Sequence, residues 1–81
     1  METSFKSELT LSDTGFLFDH NSGLTYTLNP TGQFIFNEIK NGKQGTDILV
    51  SLRKGFDIDE DTARKDIDDF FRQLHELDLL S

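Results

Sequence analysis

Apolar and polar residues alternate from Phe5 to Leu11. Phe5, Ser7, Leu9 and Leu11 share one face, with Lys6, Glu8 and Thr10 opposite. A period of two over this length predicts a half-buried strand. Asp13-Thr14-Gly15 then supplies turn residues. Phe16-Leu17-Phe18-Asp19 reads as a second strand, with Phe16 and Phe18 on one side and Leu17 on the other. The tetrapeptide His20-Asn21-Ser22-Gly23 is a hairpin turn in which Gly23 can adopt a positive φ. Leu24 to Leu28 returns as a third strand that points Leu24, Tyr26 and Leu28 inward and Thr25 and Thr27 outward. The pattern predicts a three-stranded antiparallel meander with one face in water.

At Leu28-Asn29-Pro30 the period changes. Asn29 suits an N-cap, because its side-chain oxygen can accept an orphan backbone N–H. Pro30 suits the first helical position, where the N–H it lacks would be unpaired anyway. Phe34, Ile35, Phe36 and Ile39 give a short first helix, closed at Asn41-Gly42. Thr46 is the expected cap of a second helix, with Asp47 near its positive end, Ile48, Leu49 and Leu52 as its buried stripe, and Gly55 as its left-handed terminus. A third helix is expected from about Glu60 to about Asp78. Its apolar residues Ala63, Ile67, Phe70, Phe71, Leu74 and Leu77 fall on one arc. Three strands followed by three helices predict a single α+β domain over residues 1–81, winged helix-turn-helix-like, with residues 1–4 as a flexible tail.

Composition narrows the function classes. Eight phenylalanines and one tyrosine in 81 residues can bury a useful core in a small chain. The sequence holds no cysteine, which removes disulfides and thiolate metal sites. No apolar run is long enough to span a bilayer, and the N-terminus lacks a basic region followed by an apolar stretch. A cytoplasmic protein without membrane partners is the expectation. Fifteen acidic residues against eight basic ones give a net charge of -7. Nucleic-acid binding draws on Lys and Arg neutralising phosphates, and this chain offers no basic stripe for it.

One acidic stretch raises a metal question. In Asp57 to Asp68, carboxylates at Asp57, Asp59, Asp61 and Asp68 have the spacing of calcium ligands in a twelve-residue EF-hand loop. The loop also needs a glycine at its sharp turn, where Thr62 stands, and a terminal glutamate, where Asp68 stands. Ala63, Ile67 and Phe70 already show helical spacing across it. A helix entrance explains the acids better: Asp59 as N-cap, Glu60 and Asp61 at the positive dipole end, and Asp61–Lys65 and Asp68–Arg72 as pairs four residues apart.

Catalytic chemistry has no foothold either. His20 in a hairpin turn and His75 on the last helix have no metal-ligand spacing between them. Asp19 and Asn21 are residues that bond their own backbone in turns. The serines lie in no strand–turn–helix elbow, and Gly32, Gly42, Gly45 and Gly55 form no phosphate loop. The sequence therefore predicts a non-enzyme with no metal and no cofactor.

The order of these elements resembles the PqqD-like family, small peptide chaperones also called RiPP precursor peptide recognition elements. The resemblance lies in a hairpin carrying Asp19, Gly23, Tyr26, Leu28 and Asn29, and in Gly42 closing the first helix. It continues through Thr46, Ile48 and Leu52 and then Asp66, Phe70, Leu74, Leu79 and Leu80, covering residues 14–81. Asp78 departs from it, since the family commonly has glycine there. The resemblance implies a winged helix-turn-helix fold that binds no DNA. It implies capture of the leader segment of a ribosomally made precursor peptide and its presentation to a modifying enzyme, in many clusters a radical SAM protein. The leader would add as a strand beside the third strand, in its cleft with the third helix.

A meander leaves its last strand with unpaired backbone groups, which suits that mechanism. The expected peptide-binding residues are Leu24, Thr25, Tyr26, Thr27 and Leu28 on the strand, and Asp66, Phe70, Phe71, Gln73 and Leu74 on the helix. Phe70 also fits plain core packing, and for Phe71 and Leu74 core and contact roles are evenly balanced. Two other readings stand beside this one: a winged-helix transcription regulator, for which only Arg53 and Lys54 lie at the end of the second helix, and a generic protein-interaction module. The acid excess predicts a basic leader whose affinity falls with salt.

Overall fold

The computed structural model describes Phe5, Lys6 and residues 8–80. The expected tail over residues 1–4 and the place of Ser7 in the first strand fall outside the described residues. Three short strands, β1 (Leu9–Leu11), β2 (Phe16–Asp19) and β3 (Thr25–Thr27), form an antiparallel sheet in the order β1-β2-β3. Helices α1 (Pro30–Lys40), α2 (Gly45–Phe56) and α3 (Glu60–Glu76) follow and pack on one face of it. The α+β, winged-helix-like architecture is the one the periodicity predicts.

The first strand is shorter than its alternation suggests. Leu9 is buried and Phe5 and Leu11 are half-buried, so the inward face is as read, but the pairing partner changes along the chain. Phe5 bridges Leu80, and the Lys6 N–H donates to the Leu79 carbonyl at 2.8 Å. The Phe5 ring stacks on Phe36 with centroids 4.9 Å apart. A period of two fixes which face is buried and leaves open which strand pairs with it.

Leu17 at the centre of β2 is fully buried, together with Ile35 and Phe36 of α1, Ile48 and Leu52 of α2, and Leu74 of α3. On the opposite side of the sheet, Phe16 and Phe18 are 43% and 40% exposed. Leu24 does not point into the core as expected. It is 56% exposed, because it lies beyond the end of β3, beside the hairpin turn.

Helix ends follow local chemistry, with two corrections in α2. The Asn29 Oδ1 accepts the Gly32 N–H at 2.7 Å, and Pro30 opens α1. Thr46 is not a cap: α2 starts two residues earlier than that cap would set, after Gln44, with no side-chain cap bond. Gly55 is not the terminus either. It stays helical, where a Cβ would lie 3.6 Å from the Phe34 ring, and the next residue, Phe56, meets that ring edge-on at 5.5 Å. Burying Phe56 carries the helix further, and Asp57 takes the left-handed turn at φ 51°.

The third helix stops at Glu76, two residues short of the expectation. Asp78, the position at which the resemblance leads one to expect glycine, adopts φ 57°. Its N–H bonds the His75 carbonyl, and the Leu79 N–H bonds the Leu74 carbonyl at 2.9 Å. This is a Schellman closure, with Leu79 and Leu74 both buried as its apolar contact. The surface ion pairs also differ from the expected ones. Glu60 gathers Arg64 at 3.2 Å and Arg53 at 3.7 Å, while Arg72 turns to Asp69 at 3.6 Å instead of Asp68. Among the described residues no helix is long and apolar enough to cross a membrane.

Candidate functional site

The register of the sheet determines which backbone groups are free. The Asp19 N–H donates to the Leu24 carbonyl, and the Leu28 N–H to the Gly15 carbonyl, both at 2.9 Å. In an antiparallel ladder hydrogen-bonded pairs alternate with open ones. Tyr26, opposite Leu17, therefore bonds β2, while Thr25 opposite Phe18 and Thr27 opposite Phe16 occupy the open pairs. Their N–H and C=O groups point away from β2. Since β3 is the last strand of the sheet, these four groups form an edge that is unpaired among the described residues.

A cleft of about 480 Å³ opens beside this edge. Thr27, Leu28 and Asn29 form its strand side, Thr31 and Gly32 its end, and Asp66, Asp69, Phe70 and Gln73 its helix wall. The wall residues recur at helical spacing and so share one face of α3. Gly32 lets α1 approach that wall closely, because a Cβ there would meet the Phe70 ring at 3.3 Å and the Asn29 Oδ1 at 3.1 Å. A bond from the Gln33 Nε2 to the Leu28 carbonyl, 3.0 Å, ties the first turn of α1 to the end of β3.

Of the ten residues singled out in the sequence, five line the cleft: Thr27, Leu28, Asp66, Phe70 and Gln73. Thr25 and Tyr26 lie further along the same edge strand, and Leu24 is exposed past its end. Phe71 is half-buried against the core, and Leu74, only 1% exposed, belongs to the core. Asn29, Thr31, Gly32 and Asp69 were not anticipated. The Asn-Pro cap carried a usable signal: a helix starting directly after a strand must set its first turn against that strand's end.

A second cleft, about 320 Å³, lies between α2 and α3 and is lined by Gly45, Thr46, Leu49, Arg64, Ile67 and Asp68. It borders no strand edge. The calcium-like stretch is the entrance of α3. The Asp59 Oδ1 accepts the Thr62 N–H at 2.9 Å, and bonds from the Thr62 side chain and backbone hold the Asp59 carboxyl below its ordinary value. With α3 helical from Glu60, Asp61 and Asp68 stand on a rigid rod and cannot wrap an ion as a loop does. In the hairpin, the Asp19 carboxylate accepts the Asn21 N–H at 3.0 Å and the Ser22 hydroxyl at 2.8 Å, the turn role read from the sequence.

Fold and cleft together define a winged-helix-like α+β domain in which the β3 edge of the sheet opens onto a cleft with α3. The chain belongs to the PqqD family, described as coenzyme PQQ synthesis protein D, which matches residues 14–80. No curated protein matches the sequence. Two solved structures share its fold. One, "Lasso peptide synthetase B1 complexed with the leader peptide", has a TM-score of 0.84 and 23% identity, covering 100% of this chain and 99% of the other. The second, "TbiB1 in Complex with the TbiA(beta) Leader Peptide", has a TM-score of 0.83 and 24% identity, covering 100% and 95%.

Proposed function

We propose that this protein binds the leader segment of a ribosomally made precursor peptide and presents it to a modifying enzyme. The leader adds as a fourth strand along Thr25–Thr27, with its inward side chains in the cleft against α3. The observation that carries this reading is the unpaired edge at Thr25 and Thr27, opening directly onto the cleft at Thr27. Membership of the PqqD family and the likeness to two leader-peptide complexes support it. Backbone pairing supplies affinity with little demand on sequence, and the cleft supplies selectivity. The protein acts without catalysing a reaction, and the chemistry belongs to the partner enzyme, of the radical SAM type in one form of this reading.

Titration of the isotope-labelled protein with the leader encoded by a neighbouring precursor gene tests the proposal. Backbone amides of residues 24–28 and one face of residues 66–77 are expected to shift. Shifts confined to α2 would sink it.

A further inference from the structure

The ligand character of the cleft comes from the open edge, and the side chains around it decide what it takes. Of the lining residues, Asp66 and Asp69 are the ionisable ones, and none carries a positive charge. Asp69 shares Arg72 across 3.6 Å, both side chains being more than half exposed. Asp66 is half-buried, and its side chain makes no hydrogen bond or ion pair among the described residues. Its side chain stands at the cleft wall, available to a cationic group of a ligand. The pair with Arg72, three residues on, gives Asp69 a helix-surface role, whereas Asp66 has no such partner on α3. Glu60 and Asp61 sit in the first turn of α3, where the dipole favours acids, but Asp66 and Asp69 stand beyond the reach of that effect.

The register identifies which ligand residue they face. Side chains of an added strand alternate as those of β3 do. Ligand residues opposite Thr25 and Thr27 point to the outward face of the sheet, and those opposite Tyr26 and Leu28 point toward the helices. Since the cleft lies at the Leu28 end of the edge, the residue opposite Leu28 enters it. Resting on the strand-addition reading, we infer that the cleft selects an extended peptide with lysine or arginine at the position opposite Leu28. Asp66 and Asp69 receive the cationic head, the aliphatic stem passes along the cleft wall at Phe70, and the Gln73 amide oxygen offers a further acceptor.

The probe is a displayed library of random linear peptides, panned separately on the full chain and on the Asp66→Asn/Asp69→Asn double variant. Binders of the wild type are expected to carry Lys or Arg at one fixed position, with that preference absent from binders of the double variant. For a selected peptide, replacing that basic residue with glutamine is expected to weaken binding about two- to fivefold, the range for a partly exposed ion pair. Asp66→Lys is expected to shift selection at the same position toward Asp or Glu, an outcome a misfolded variant cannot give. Equal Lys/Arg enrichment on both baits, or none on the wild type, overturns the charge proposal. If the selected peptides still shift the Thr25 and Thr27 amides, the edge reading survives that failure. If they leave those amides unmoved, the edge reading falls with it.

Discussion

Asp57 and Asp78 are the non-glycine residues with positive φ among the described residues, at 51° and 57°. A side chain in the left-handed region crowds the following carbonyl, and aspartate tolerates this better than most residues, though less well than glycine. Asp57→Gly is expected to raise stability by about 0.5–1 kcal/mol, read as a higher urea midpoint. The same change at Asp78 should gain less, because it also removes the 2.6 Å pair with Lys6. Asp59 gives a pH signature. Its folded carboxyl titrates below its ordinary value of 3.8 because Thr62 bonds the charged form. Its contribution is therefore full above that value and lost as pH falls through the lower folded one. Asp59→Ala should lie below wild type in stability at neutral pH, with the gap closing in acid. A gap constant with pH in chemical denaturation would exclude the charged cap.

At the scale of elements, β3 separates folding from binding by the parity of its residues. The Thr27 N–H faces the open edge, so Thr27→Pro removes a donor for a ligand strand and no donor of the β2–β3 ladder. Tyr26→Pro removes the ladder donor opposite Leu17 instead. The expected result is that Thr27→Pro folds and loses leader binding, whereas Tyr26→Pro loses stability, with circular dichroism and peptide titration as the two measurements. Element types and order were legible because alternation and the helical arc are strong periodic signals. Their ends were less so, since tertiary contacts overrode local preference. Gly55 looks like a terminus, yet the helix runs on through Phe56, whose ring meets Phe34 edge-on. Leu24 continues the inward alternation, but nothing covers it. The cleft was half legible. Asp66 and Gln73 flank the apolar arc of α3, whereas Thr31 and Gly32 enter through the placement of α1 against the sheet.

For the whole molecule, stability rests on one small core shared by the sheet and all three helices. Leu52→Ala, at a position with no exposure, is expected to cost about 2–5 kcal/mol. For a domain of this size that is a large part of the total, so thermal unfolding should show a much lower midpoint. The acids spread along α3 give the protein one dominant sign of charge. The basic end of α2 is partly answered by Glu60 beside Arg53, which leaves little footing for duplex DNA. Leader affinity should accordingly weaken as salt rises, and titrations at low and high ionic strength would reveal the trend. The brevity of β3 has a further consequence. An edge that accepts another chain is also the template from which aggregates grow. Here it offers the free groups of only Thr25 and Thr27 before the turn at Gly23 and the proline at 30 end the strand. So short an edge strand blunts the stacking of identical chains. It can hold a partner only when a cleft adds side-chain contacts, so the length of one strand ties adhesion to recognition.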